Sequence, residues 1–210
     1  LNPDAIRAWR AVFDTTIWHY VACDDDGGTD VCEWLKSVGL LDIINLRNEH
    51  GESPLHDAVF HERLHTSGNG AGQEETKARW MMTNGADINA VDNENNTVFS
   101  CACMHRSLSF LQELASKVNP DHLSMPDRDG FSPMQWAFRL NPDYLPIVRM
   151  LVLRGTTVRS RNFPAGSHGH LLPRRRDLLA SLEADLRLND LILIGLFLGC
   201  GVHAPAATPT

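Results

Sequence analysis

The sequence predicts an all-α protein made of stacked helix-turn-helix units, and three observations carry that expectation. First, GESPLHDAV from Gly51 and GFSPMQWAF from Gly130 are versions of one pattern, which returns within GADINAVDNENNTVFSCA from Gly85 and more weakly as TIWHYVA from Thr16. Second, each copy opens on a hydroxyl residue (Thr16, Ser53, Thr97, Ser132) of the kind that caps a helix start. Third, an apolar run follows each opening: VCEWLKSV, TKARWMMTN, LSFLQELAS, LPIVRMLVL and, last, LILIGLFL.

In chain order, NPDAIRAWRAVF reads as a helical lead-in occupying residues 1–15. The openings then recur at intervals of about 35 to 45 residues, against a period of about 33 for two-helix repeats of this size. Pro54 and Pro133 stand at the first helical position, where a missing N–H costs nothing. Leu55, Ala58 and Val59 form a narrow apolar stripe whose small members allow paired helices to approach. Gly85 and Gly155 are placed to end second helices in a left-handed conformation. Asp177 is the fifth opening. The expected organisation is a single domain over 1–210, with repeats near 16–52, 53–96, 97–131, 132–176 and 177–205. Insertions near 61–75 and 162–176 account for the two long intervals; the first, HTSGNGAGQEE, is Gly-rich and polar and reads as a loop.

The run GADINAVDNENNTVFSCA, with SPLHDAV and SPMQWAF, resembles the ankyrin repeat, and GCGVHAP from Gly199 looks like a worn copy of its Gly-Ala-Asp-Val-Asn-Ala-Pro turn. The resemblance spans roughly Thr16 to Pro205. It implies an ankyrin-repeat solenoid, in which hairpin-like finger loops join the helix pairs and the first helices line a concave face. His19 and His56 take the repeat's own His position, where the imidazole ties adjacent loops together. Departures are Asn96 where Gly is expected, Ser100 and Gln135 in place of His, and Trp18 in place of Leu. The third repeat has VNPDHLSMPDRDG instead of the Gly-Ala-Asp turn.

Composition narrows the function. A net charge of −7 argues against nucleic-acid binding, which needs a basic face to displace counterions. Five cysteines in no small-scaffold pattern favour reduced thiols and an intracellular, cytoplasmic or nuclear setting. LILIGLFLGCGV is too short to span a bilayer, so membrane insertion is not expected. The chain opens at Leu1 without a signal-peptide pattern and is read as an interaction module or a piece of a larger protein.

One stretch suggests a different function. HERLH places His61, Glu62 and His65 in the spacing by which zinc hydrolases bind metal and activate water. That alternative lacks a third ligand: the following His position of the longer motif holds Ala71, and Glu74 and Glu75 sit at a loop edge. A helix also turns Cys103 about 200° from Cys101, so Cys101, Cys103 and His105 do not converge on an ion. His168 and His170 fall in the second insertion and read as solvated. No phosphate-cradling loop or Gly-x-Ser-x-Gly elbow is present. No cofactor is expected, and no metal outside the His61/His65 alternative.

The resemblance places inner-face positions at Tyr20, Cys23 and Asp24; Asp57, Phe60 and His61; Cys101, Met104 and His105; and Trp136, Arg139 and Leu140. Tyr20, Phe60, Met104 and Trp136 make that row apolar, as docking surfaces are. Finger residues Asp92, Glu94 and Arg128, with Arg47, Asn48, Glu49, Asn93, Asp127, Asp129, Arg159, Ser160 and Arg161, form a polar rim. The expected function is non-catalytic binding of another protein or peptide. A modification-sensing cage using Trp136 and Tyr20 is a further possibility.

Overall fold

A computed structural model describes residues 2–24, 28–61, 76–141, 144–154 and 156. The chain divides into two compact units, Leu1–Ile147 and Val148–Thr210, and the stacked helix pairs lie in the first. Among the described residues the regular structure is helical, apart from one isolated bridge between Val91 and Thr97. The helices are α1 (Pro3–Ala8), α2 (Ile17–Cys23), α3 (Asp30–Ser37), α4 (Pro54–His61), α5 (Thr76–Thr83), α6 (Val98–His105), α7 (Leu108–Ala115), α8 (Pro133–Leu140) and α9 (Tyr144–Leu153), the last crossing the boundary between units.

The first helices of successive pairs pack side by side, α2 on α4, α4 on α6 and α6 on α8. Their shared core contains Trp18, Leu55, Ala58, Val59, Phe99, Ala102, Cys103, Ala137 and Phe138, with Leu35, Met81, Leu111 and Leu114 from the second helices. Trp18 fits where a smaller Leu was expected because it stacks on Trp80, 5.7 Å between ring centroids, and its indole N–H donates to the Leu40 carbonyl at 2.8 Å.

The openings are capped in two ways. Thr97 and Ser132 accept from the amides of Ser100 and Gln135. In the first two repeats the residue three on is a histidine: the amide of Thr16 donates to His19 Nδ1 at 3.0 Å, and that of Ser53 to His56 Nδ1 at 3.1 Å. Each Nδ1 is therefore a lone-pair acceptor, which leaves the proton on Nε2. From there His19 donates to the Glu52 carbonyl (3.1 Å) and His56 to that of Asn96 (3.3 Å), tying each helix start to the next loop. Ser100 and Gln135 keep the local bond without that tie, and the buried Nε2 of Gln135 has no partner among the described residues.

Fingers 48–52, 92–96 and 127–131 share one construction. Asn48, Asp92 and Asp127 begin each by accepting backbone amides of the same turn. Gly51, Asn95 and Gly130 take the left-handed conformation at the fourth position. The residue in the glycine position of the second of these is therefore Asn95, not Asn96, which corrects the register read from sequence. The lead-in is α-helical only over Pro3–Ala8; residues 11–15, with a single 3-10 turn at Val12–Asp14, make another finger, with Phe13 and Asp14 at positive φ and Ala11 bonded to Thr15. Backbone bonds link the four in a row: Glu49 to the Phe13 carbonyl, Asn93 to His50 and Arg128 to Glu94, at 2.7–2.9 Å.

A second set of contacts ties helix ends across repeats. Lys77, buried on α5, donates to the Asp24 carbonyl that ends α2. Arg106, which follows α6, donates to the carbonyls of Ala58 and Val59 near the end of α4. Asn141, which follows α8, donates to those of Cys103 and Arg106. Positive or amide donors suit the negative end of a helix dipole.

Candidate functional site

Fingers 48–52 and 92–96 and helices α4 and α6 together line a groove of roughly 510 Å3. Asp57, Phe60, Cys101, Met104, Asp92, Glu94 and Arg128 all line it, so seven of the residues marked from sequence meet in one place. His50, Glu52, His56, Asn93 and Asn96 complete the wall. Sequence reasoning placed Asn93 in the polar rim but none of the other four among the binding residues. The signal for Glu52 and Asn96 was their place just before each helix-opening Ser or Thr, where the chain turns from finger to helix.

The groove floor differs from the expected exposed apolar row. Met104 and Cys101 are buried, 7% and 8% exposed, whereas Phe60 is 44% exposed. They sit one and two turns into α6, a helix buried along almost its whole length. Phe60 stands edge-on to His105, 5.3 Å between centroids. Asp57 is only 9% exposed, and burial, followed by the nearby Glu52 carboxylate, pushes its pKa up to about 7. The Cys23 thiol on α2 is its hydrogen-bond partner. Burial also pushes the Cys101 thiol up to about 12 and lowers the pKa of His56.

The other marked residues lie apart. Tyr20 packs on Trp9 beside α2, 5.3 Å between centroids. Trp136 on α8 donates its indole N–H to Asp127 (2.8 Å) and packs on Phe131, with Arg139 stacked over both rings. Since α4 and α6 separate α2 from α8, Tyr20 and Trp136 do not share one cage. His61 is the last residue of α4, and Glu62 and His65 lie outside the described residues. Among the described residues, no three His, Cys, Asp or Glu side chains are placed to hold a metal ion. Nor is any helix among them long and apolar enough to cross a membrane.

Repeated helix pairs, packed first helix to first helix and joined by hydrogen-bonded fingers, define a helical-repeat scaffold that carries this groove. A family model for ankyrin repeats matches residues 69–162 in three copies. Residues 69–162 thus carry ankyrin repeats, and such repeats generally serve as protein–protein interaction modules. The helix openings at Thr16 and Ser53, outside the matched residues, share with Thr97 and Ser132 inside them the bond from the cap amide to the side chain three residues on. No curated protein matches the chain.

Proposed function

We propose that this protein is a non-catalytic docking module that binds another protein or peptide across the groove between α4, α6 and their fingers. The observation that carries this reading is the groove's composition. Phe60 and Met104 supply apolar contact, while Asp57, Glu94 and Arg128 supply charge, the mixture from which interface centres and rims are made. The backbone bonds between successive fingers hold this surface in shape before a partner arrives, which lowers the ordering cost of binding.

The chemistry of the groove supports a role without catalysis. Cys101, at its floor, keeps its proton far above neutral pH and is a poor nucleophile. His56 has both ring nitrogens committed, one to Ser53 and one to Asn96, so it is not free to shuttle protons. A test is affinity capture with the full chain, comparing wild type with Phe60→Asp/Glu94→Arg and with Lys117→Glu on α7. The reading predicts that the groove variant loses a partner that Lys117→Glu keeps. Equal retention by both folded variants would contradict it.

A further inference from the structure

We propose that the groove between α4, α6 and fingers 48–52 and 92–96 receives a lysine or arginine side chain of a docked peptide, its cationic head against the Asp57 carboxylate; this rests on the docking reading above. Asp57 lines the groove, is nine-tenths buried, and forms no ion pair with any cation among the described residues. A carboxylate withdrawn from water without a counter-charge is costly, and in proteins such groups are paired, protonated or held for a ligand. The surrounding charge has the same sign. Glu52, Asp92 and Glu94 face the groove with Asp57, and Arg128, exposed on its finger, is the one Lys or Arg in the wall among the described residues.

The shape fits a long cationic side chain better than a bare ion. Phe60 and Met104 offer apolar surface to a methylene stem, whose charged head then reaches the acidic end. Asp92 already accepts from the amides of Glu94 and Asn96 and from the Asn96 side chain, and Glu52 from Asn48, so those two act mainly through their field. Asp57 accepts from the Cys23 thiol, and a carboxylate's further lone pairs leave it able to take a cation directly.

The proposal carries a pH signature. The groups facing Asp57 are Cys23 from α2, His56 on its own helix, Cys101 from α6, and Glu52, His50, Asp92, Glu94 and Arg128 from the fingers. A cation seated beside Asp57 favours its ionised form, so binding releases a proton near neutral pH and weakens as Asp57 becomes protonated in acid. Cys101 stays neutral through this range.

The experiment is selection of a random twelve-residue peptide library on the full chain and, in parallel, on Asp57→Asn. Peptides taken by the wild type should share a Lys or Arg at one position. Replacing that residue by norleucine or citrulline should weaken binding about tenfold or more, a loss typical of truncating one partner of a buried charge pair. Asp57→Asn should still bind peptides but lose the cation preference to within about twofold. Glu94→Gln, at the exposed rim, should weaken binding about two- to threefold. Selected peptides without a shared cation, or an unchanged preference in Asp57→Asn, would overturn this inference and leave the docking reading standing. Failure of the wild type to enrich any peptide would contradict both. If Asp57→Asn does not fold, lowering the pH from 8 to 5.5 serves instead. A cationic peptide should weaken about tenfold and its neutral counterpart by no more than about twofold, and equal responses would overturn the proposal.

Discussion

The Nε of Arg106 lies 2.8 Å from the carbonyl oxygen of Val59, and its Nη2 reaches the carbonyl of Ala58, although α4 and Arg106 belong to different repeats. Arg106 is 1% exposed, so these bonds stand in place of water at the end of α4. Removing the side chain strands two buried carbonyls. Arg106→Ala should therefore destabilise the protein by about 3 kcal/mol. Arg106→Lys should recover only part of this, because one ammonium cannot reproduce the fork. Chemical denaturation followed by circular dichroism measures both; a loss below about 1 kcal/mol in the alanine variant would show that the bonds contribute little.

Two glycines separate backbone conformation from crowding. Gly85 has a positive φ and open space where a Cβ would stand, whereas at Gly51 a Cβ would press on the Asn93 side chain and lie 2.9 Å from its backbone nitrogen. Gly85→Ala should cost about 1 kcal/mol from conformation alone. Gly51→Ala should cost about 2–3 kcal/mol, since it also pushes apart two fingers joined by the bond from Asn93 to His50. Thermal melts of the pair check the order; similar losses would contradict it.

Asp57 and His56 are adjacent on α4 but respond to pH in opposite directions. The pKa of Asp57 is raised from 3.8 to about 7 in the fold, so the folded state holds a proton that the unfolded chain releases. Its effect on stability is neutral below the unfolded pKa and becomes increasingly unfavourable as pH rises toward 7. Asp57→Asn should accordingly stabilise the protein at pH 8, by roughly 1–3 kcal/mol, and have little effect at pH 3.5. Denaturant midpoints at the two pH values decide this, and a variant less stable at pH 8 would contradict it.

His56 is held neutral, its pKa lowered from 6.5 by burial, against which its bond to Asn96 works. Its contribution is present above pH 6.5 and is lost as pH falls toward the lower folded value, because protonating Nδ1 would set one N–H against the Ser53 amide. His56→Gln copies the residue found at Gln135, which accepts from its own capping amide. The variant should show a shallower loss of stability between pH 6.5 and 5 than the wild type. An identical slope would mean that His56 does not titrate with unfolding.

Much of this fold is written in local pattern. Thr97 and Ser132 announce helix starts because capping is a contact over three residues, and Gly85 announces a helix end because few other residues tolerate its φ. The finger at 11–15 was hidden because Phe13 and Asp14 adopt positive φ without a glycine to signal it. Register slipped at Asn95 and Asn96 because both are asparagine and only φ distinguishes their roles. Arg106 and Lys77 gave no local sign, since their acceptors lie in another repeat. Counting from the caps located Asp57 and Met104 on the inner side of the helices. It did not reveal that Met104 would be buried, or that Asp57 would lie buried without a counter-charge among the described residues.

The most direct test of the account is amide hydrogen exchange on the full chain, free and saturated with its tightest-binding protein or peptide. The groove reading predicts that protection on binding is concentrated in residues 48–60 and 92–104, with α3 and α7 unchanged. Protection confined to α3, α5 and α7 would place the partner on the second helices and contradict the reading.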